Sequence, residues 1–427
     1  MSRTTQSGWE DRIRGKLRWR LLPFLFALYI VASLDRANVA YAKTEMMAAR
    51  GFSESVFGFG AGIFFVGYLL LEIPGALIVE RRSARRWFAR ILITWGICAV
   101  FLGFVRTASQ FFGVRFILGL AEGGFFPGMV VYLTHWFCAR ERARALAIFI
   151  LAVPVSLSLG GPVSGLFLKL DWFGLAGWQW LFILEGLPAV LLGVLTLVYF
   201  TDYPKDVSWL TPAEQKWISI ELEAESKAKK AIGDVSIWEA LRKPQVILLA
   251  LALFFANIGI YSFIFWLPST VQAVSGRSAA FAATFSALPF TLAVITVVVT
   301  ARSSDLLAER RWHTVIPLTL SALLFMLSGL AGSRVLPLMG LLCATGCALF
   351  AWTPSFWTLP TTMLGESPAA ASVGLINCVG NLGGFIGPSA VGFILSKNIH
   401  HSTVAACLAG SFVVSAALVA YCVTYSS

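Results

Sequence analysis

Five charged side chains lie inside apolar stretches that are long enough to cross a membrane. Asp35 and Arg36 are adjacent, Glu72 precedes an Ile-Pro-Gly run, and Arg115 and Glu122 are seven residues apart. Each ionised group within a bilayer costs about 2.5–3.5 kcal/mol on insertion scales, so such groups mark functional pathways by default. These five residues are therefore the first candidates for chemistry.

The spacing of these residues restricts their partners. Arg115 and Glu122 share one helix face about 10.5 Å apart along the axis, which is too far for a direct pair. Asp35 and Arg36 point about 100° apart and need separate partners. We predict an Asp35–Arg115 ion pair between two helices, with Arg36 facing a cavity. The alternative is an ion-pair network that only locks the helices together, and for Glu72 a structural role is favoured.

The residue types indicate proton and anion chemistry. An apolar, intermittently wet cavity favours the neutral form of a carboxyl group, which then binds and releases a proton. A guanidinium group stays charged and presents a planar fork that matches a carboxylate. We therefore predict that Asp35 and Glu122 carry protons and that Arg36 binds an anionic substrate.

The elements that position these residues are membrane-spanning helices. Hydrophobic residues make up 58% of the 427 residues and charged residues only 13%, whereas single soluble cores stop growing near about 250–300 residues. Segments of about 20 apolar residues predict twelve spans. Their bounds are 20–42, 55–79, 88–106, 109–134, 143–169, 179–201, 245–268, 280–302, 313–331, 335–358, 369–396 and 403–424. Gly and Pro interrupt 109–134 and 369–396.

The distribution of Lys and Arg predicts the orientation. With the N-terminus inside, 24 of them fall in cytoplasmic segments and 7 on the other side, as the positive-inside rule requires. Both termini are therefore predicted to be cytoplasmic, in a plasma membrane (the inner membrane of a bacterium). The net charge of +11 then reflects topology and gives no reason to expect a nucleic-acid partner.

The chain is predicted to consist of two similar halves. The polar segment 202–243 separates a bundle of six helices in 1–201 from a second in 244–427, and Thr211-Pro212 in it is typical of a helix start. Glu80 to Trp87 and Asp305 to Trp312 align at one constant offset, with an acid, two arginines and a tryptophan in register. A parallel repeat of this kind is typical of secondary transporters.

Two six-helix halves with an acid-and-arginine loop after spans 2 and 8 resemble the major facilitator superfamily, although Gly75 to Glu80 is one residue longer than its usual spacing. Leu34-Asp35-Arg36-x-Asn38 and Arg115-Phe116-x-x-Gly119-x-x-Glu122-Gly123-Gly124-x-x-Pro127 are similar to its anion:cation symporter branch, as is Asn381 to Pro388. The resemblance implies that Asp35 and Glu122 couple protons, that Arg36 binds the substrate carboxylate and that Arg115 is their electrostatic partner. It also implies that Tyr68 faces the substrate.

Further candidates are assigned by position. Span 10 combines aromatic and hydroxyl groups around Pro354, and span 11 places two asparagines one turn apart. The candidate substrate-binding residues there are Trp352, Ser355, Asn377 and Asn381; interface and packing roles remain open for them. The candidate gating-loop residues are Glu80, Arg81, Arg85, Asp305 and Arg310.

Taken together, the residues predict a monomeric all-α secondary transporter and no enzyme. It would import a small organic carboxylate, such as a sugar acid, a tartrate-like acid or an aromatic acid, by proton symport. A facilitator or exchanger with the same fold is the alternative. The seven cysteines and four histidines show no metal-binding spacing, so we expect neither a metal nor another cofactor. A Gly-Pro pattern in span 5 faintly resembles drug antiporters, but Leu157 and Leu166 replace two of its glycines.

Overall fold

The computed structural model describes residues 3–232, 242–331, 334–364, 366–399 and 401–424. Within these ranges the regular structure is helical and contains no strand. We number the long helices as spans 1 to 12. In order they are Arg3–Arg50, Glu54–Arg81, Ala84–Leu102, Ala108–Glu122 with Phe125–Thr134, Ala139–Phe167, Gly177–Tyr199, Pro244–Ser275, Ala279–Phe285 with Ala287–Leu307, Trp312–Leu330, Val335–Ala351 with Thr353–Phe356, Glu366–Ser396 and His401–Thr424.

Eleven of these helices, among the described residues, are long and apolar enough to cross a bilayer. Span 3 is the exception because Arg85, Arg86 and Arg90 occupy its first turns. Its remaining residues pack tightly against span 6. A Cβ atom on Gly96 would lie 2.6 Å from the carbonyl oxygen of Gly186. Span 3 is therefore packed within the bundle, and its three arginines lie at one end of the helix.

The fourth helix of each half is broken. Span 4 is interrupted at Gly124, whose φ of +84° favours glycine, and span 10 is interrupted at Trp352, just before Pro354. The predicted span 369–396, which also contains Gly and Pro, is instead one continuous helix that runs through Pro388. Interrupted spans at matching positions of two halves commonly flank a binding site.

The polar segment 202–243 is the linker between the two halves. Its helix begins at the position that the sequence predicts. The Thr211 hydroxyl accepts the backbone N–H of Glu214 at 3.3 Å, while the Glu214 carboxylate accepts the Thr211 N–H at 2.9 Å. This reciprocal cap starts the helix Pro212–Ile232. Lys16, on the polar extension of span 1, donates to Glu214 at 2.6 Å. The remaining linker residues 233–241 lie outside the described ranges.

We expect acid to loosen this linker helix. Burial alone would raise the pKa of Glu214, but the hydrogen bonds from Lys16 and Thr211 hold it below its ordinary value. The stabilisation is therefore present above the ordinary carboxyl range and is lost as the pH falls through the lowered pKa. Hydrogen exchange of residues 212–232 should quicken in Glu214→Gln at neutral pH. The exposed Glu223→Gln on the same helix is the control, and equal exchange in both would contradict the role of the cap.

The two halves meet tightly at one end of the bundle. A Cβ on Gly58 of span 2 would lie 2.4 Å from the Pro388 carbonyl oxygen of span 11, and one on Gly161 of span 5 would lie 2.4 Å from that of Ala283 in span 8. Small residues allow such close approach of helix backbones. We call this region, around residues 43–58, the closed end.

Polar contacts reinforce the closed end. The buried Lys43 ammonium binds Glu54 at 2.9 Å and donates to Ser269 of span 7 at 3.1 Å. The Trp266 indole N–H of span 7 donates to the same Glu54 carboxylate at 3.1 Å. These contacts join spans 1 and 2 to span 7, so opening this end requires all of them to separate.

Gly58→Val is expected to slow transport strongly because the added side chain has no room against span 11. We expect at least a tenfold loss of exchange rate, equivalent to about 1.4 kcal/mol, when radiolabelled substrate exchange is measured in proteoliposomes. Gly113→Val is the matched control, since a Cβ there meets nothing within 4 Å. Equal rates in the two variants would show that this close contact does not matter for the cycle.

Candidate functional site

A cavity of about 150 Å³ lies between the two halves. Its N-terminal wall includes Tyr29, Arg36 and Tyr68. Among the described lining residues, Arg36 is the only charged one. Its guanidinium lies over the Tyr68 ring, 5.1 Å from the ring centroid, in a cation–π arrangement.

Glu122 is the counter-ion of Arg36. The guanidinium Nη2 of Arg36 donates to Oε1 of Glu122 in a close ion pair between spans 1 and 4. The Arg36 side chain is 19% exposed, whereas that of Glu122 is 1% exposed. The anion therefore lies behind the cation, and Arg36 lines the cavity.

Asp35 faces away from the cavity, as its position next to Arg36 predicts. It is buried and accepts hydrogen bonds from the Trp95 indole N–H of span 3 and from the Asn38 amide at 3.2 Å. Neither donor is a cation, so two neutral groups solvate this carboxyl group within the bundle.

The predicted Asp35–Arg115 ion pair is wrong. Arg115 of span 4 is fully buried and donates to the backbone carbonyl oxygens of Gly60 and Ala61 in span 2, at 3.2 and 3.0 Å. Its face of span 4 packs against span 2, whereas Asp35 lies on the side of span 1 that faces span 3. The carbonyl oxygens of a neighbouring helix take the place of a carboxylate.

Glu72 links the two halves. Its carboxylate accepts a hydrogen bond from the Asn377 amide of span 11, and the other carboxylate oxygen is buried without a hydrogen-bond partner. Sequence reasoning favoured a structural position for Glu72 near basic residues. Its hydrogen-bond partner instead lies in the opposite half, so separation of spans 2 and 11 would break this bond.

The C-terminal wall is polar and aromatic. The candidates Trp352, Asn377 and Asn381 line the cavity. Ser355 is buried and its hydroxyl has no hydrogen-bond partner, but it is not part of the lining.

Sequence reasoning missed two tyrosines of the lining. Tyr29 precedes Arg36 by seven residues and therefore shares its helix face, and its ring stacks on Phe149 at 4.0 Å. Tyr261 of span 7 also faces the cavity. It occupies the position equivalent to Arg36 when the repeat offset of Glu80 and Asp305 is applied. Helix periodicity and the internal repeat could have identified both.

The loop candidates are not among the described residues that line the cavity. Asp305 pairs with Arg310 at 2.6 Å within its own loop. In the first half, the backbone N–H of Arg85 donates to Asp202 at 2.9 Å, and Glu80 and Arg81 are exposed at the end of span 2. The aligned sequences therefore make different contacts in this conformation.

One further buried acid was overlooked. Glu185 lies in the predicted span 179–201 and is 5% exposed. Its carboxylate accepts a hydrogen bond from Ser164 of span 5 at 2.7 Å. The sequence alone could have identified Glu185, because it is a single acid within an apolar run. The same rule identified Asp35.

In the described part of the chain, twelve long helices in two similar halves, with a cavity between them and buried charges around it, are the architecture of a membrane transporter. Residues 25–388 match the profile of the Major Facilitator Superfamily, and the chain belongs to this family. It is a multi-pass membrane transporter and not an enzyme.

The chain is similar to named bacterial transporters. A protein of Agrobacterium vitis named "Putative tartrate transporter" is 42% identical over 390 residues, which cover 90% of this chain and 88% of the relative. The "Quinolone resistance transporter" of Acinetobacter baumannii is 37% identical, over 90% of this chain and 88% of the relative. Among solved structures, the inward-open xylose transporter XylE of Escherichia coli superposes with a TM-score of 0.74 at 16% identity, covering 93% of this chain and 94% of that one. At that identity the likeness shows the fold alone.

Proposed function

We propose that the protein imports a small organic carboxylate together with protons. The observation that carries this proposal is the Arg36–Glu122 pair, in which the cation lines the cavity and its anion lies buried behind it. The similarity to a protein named for tartrate transport supports the same substrate class.

Competition for Arg36 couples the substrate to a proton. An incoming carboxylate would accept hydrogen bonds from the N–H groups of Arg36 that now donate to Glu122. Glu122 is then a buried carboxylate without its cation, which costs several kcal/mol. A proton that binds to Glu122 removes this cost. Each bound carboxylate therefore favours the uptake of one proton, and release of the substrate lets Glu122 pair with Arg36 again.

The opposite wall would hold the rest of the substrate. Asn381, whose side chain also lies against the Glu72 carboxylate, offers an amide, and Trp352 and Tyr261 offer aromatic faces. A cavity of about 150 Å³ suits a small acid with hydroxyl groups or one ring. Asn377 becomes available only when it leaves Glu72, so a substrate that binds Asn377 would also weaken the bond between the halves.

The orientation and division of the chain are part of the proposal. The excess of Lys and Arg at the opposite end supports a closed end that faces outward, with both termini in the cytoplasm. We divide the chain into 1–201, the linker 202–243 and 244–427, and propose that the halves rock as units in a monomer. Asp35 remains a second proposed proton-coupling acid and the loop residues remain proposed gates, whereas Arg115, which binds carbonyl oxygens of span 2, is no longer proposed as the partner of Asp35.

Two alternatives give different transport behaviour. A facilitator or exchanger would use the same cavity without protons. Export of aromatic compounds is supported by the aromatic lining and by the relative named for quinolone resistance. Symport predicts that substrate follows protons inward, whereas antiport predicts that inward protons expel it.

The test is uptake of radiolabelled organic acids into proteoliposomes with an acidic exterior. We expect accumulation of at least one acid, which collapses when a protonophore is added. Uptake that is insensitive to the protonophore would support a facilitator or exchanger and contradict symport. Substrate efflux driven by the same gradient would contradict import.

A further inference from the structure

The C-terminal wall of the cavity contains two further polar residues that sequence reasoning did not single out. Asn257 lies on span 7, and Thr353 follows the break in span 10; both line the cavity. Because Arg36 is the only charged residue in the described lining, the C-terminal wall contacts a substrate through hydrogen bonds and aromatic faces. The hydrogen-bonding capacity of Asn257 and Thr353 therefore bears directly on substrate choice.

The backbone of span 11 fixes the direction of the Asn257 amide. Nδ2 of Asn257 donates to the Gly380 carbonyl oxygen at 2.9 Å. A carbonyl oxygen only accepts hydrogen bonds, so the amide must direct its nitrogen toward Gly380 and its oxygen away from it. That oxygen makes no hydrogen bond to the described residues, and it is not among their buried atoms without a partner. Asn257 therefore offers the cavity an acceptor.

Thr353 offers an acceptor for a similar reason. A hydroxyl group has one hydrogen to donate, and Oγ1 of Thr353 donates it to the Phe350 carbonyl oxygen at 2.8 Å. The same Oγ1 atom can still accept hydrogen bonds. Asn377, which also lines the cavity, donates through Nδ2 to Glu72. Backbone carbonyl oxygens and a carboxylate thus engage the donor groups of all three side chains.

Oxygen acceptors favour substrate groups that carry a polar hydrogen. A hydroxyl group donates to such an oxygen, whereas a second ionised carboxylate or a plain hydrocarbon chain cannot. An ammonium group would also donate, but a buried cation needs a counter-ion, and the described lining contains no Asp or Glu. The neutral hydroxyl is therefore the group that matches this wall.

We propose that Asn257 and Thr353 form a hydroxyl-selective subsite, so that the protein transports hydroxy acids in preference to acids of the same carbon skeleton without hydroxyl groups. Arg36 binds the carboxylate, and the two side-chain oxygens accept hydrogen bonds from substrate hydroxyl groups. Glu72 is a positioning residue, because it holds the N–H2 group of Asn377 that would otherwise attract an acid without hydroxyls. The subsite rests on the proposed binding of an organic carboxylate, but not on proton coupling.

Matched pairs of acids test the subsite by thermal-shift titration of the purified protein, without a gradient. The pairs are tartrate and succinate, gluconate and hexanoate, and mandelate and phenylacetate, whose members differ only in hydroxyl groups. In wild type, the hydroxy acid of at least one pair should bind about tenfold more tightly than its partner, because an acid without the hydroxyl leaves polar groups of the site unpaired. Equal binding within the pairs would overturn the subsite alone. Binding of no acid, or equal binding to Arg36→Ala, would contradict the proposed function and the subsite with it.

Two variants remove the accepting oxygens. Asn257→Leu and Thr353→Val keep the approximate size of each side chain. Each should weaken binding of the hydroxy acid about three- to tenfold, the loss expected for one neutral hydrogen bond, and change binding of its partner acid by less than about twofold. Equal losses for both acids would indicate a purely structural role and contradict the subsite. Thr353→Val alone gives this test if Asn257→Leu does not fold.

Glu72→Gln tests the positioning role from the other direction. A glutamine amide can donate to the Asn377 oxygen, so Asn377 can turn its N–H2 group toward the cavity. Binding of the acid without hydroxyls should then strengthen, and the preference for its hydroxy partner should fall. Glu223→Gln, on the exposed face of the linker helix, should keep the wild-type preference. An unchanged preference in both Glu72→Gln and Thr353→Val would overturn the proposal.

Discussion

Arg36→Ala should reduce uptake of the organic acid by about 100-fold or more, since hydrogen bonds to charged groups contribute about 1.5–3 kcal/mol each and 1.4 kcal/mol is a factor of ten. Arg36 is the only charged residue among the described residues that line the cavity, so another residue cannot replace its charge. Arg36→Lys should retain part of the binding, because an ammonium group keeps the charge but lacks the planar fork.

Loss of function must be separated from loss of fold. Arg36→Ala leaves Glu122 as an unpaired buried charge, and breaking a buried pair costs about 3–5 kcal/mol. The double variant Arg36→Ala with Glu122→Gln removes both charges and should recover the Tm, but not ligand binding in a thermal-shift screen of organic acids. Arg106→Ala, an exposed loop arginine, is the control. A double variant that binds the acid as well as wild type would exclude Arg36 as the anion site.

Glu122→Gln should separate exchange from accumulation. Glutamine cannot bind and release a proton, and it no longer competes with the substrate as an anion for Arg36. Counterflow in proteoliposomes should therefore persist, with equal or tighter binding of the acid. Under a gradient of one pH unit, electroneutral symport of a monocarboxylate with one proton accumulates the substrate up to about tenfold, whereas the variant should only equilibrate the substrate.

The control for this experiment is Glu223→Gln, which should keep both activities. Full proton-driven accumulation in Glu122→Gln would show that Glu122 is not the coupling acid. Loss of counterflow and accumulation together, in a variant with a normal Tm, would instead assign Glu122 to binding. The two results are therefore distinguishable in one preparation.

Much of the site was predictable because charge within an apolar span is conspicuous. The different directions of Asp35 and Arg36 followed from helix geometry, and the structure places them toward span 3 and the cavity respectively. The same rule would have identified Glu185, and the seven-residue spacing from Arg36 would have identified Tyr29. The linker helix start at Thr211 was confirmed because its cap depends only on neighbouring residues.

The pairing of these charges depended on which helices touch. Sequence spacing shows that Arg115 and Glu122 share a face, but it does not show that this part of span 4 lies against the backbone of span 2. Arg115 therefore binds carbonyl oxygens, Glu122 binds Arg36, and Glu72 reaches Asn377 in the other half. Periodicity is a local property and determined the apolar spans and their charged positions. Partner choice is set by the packing of distant helices, and only the tertiary structure decided it.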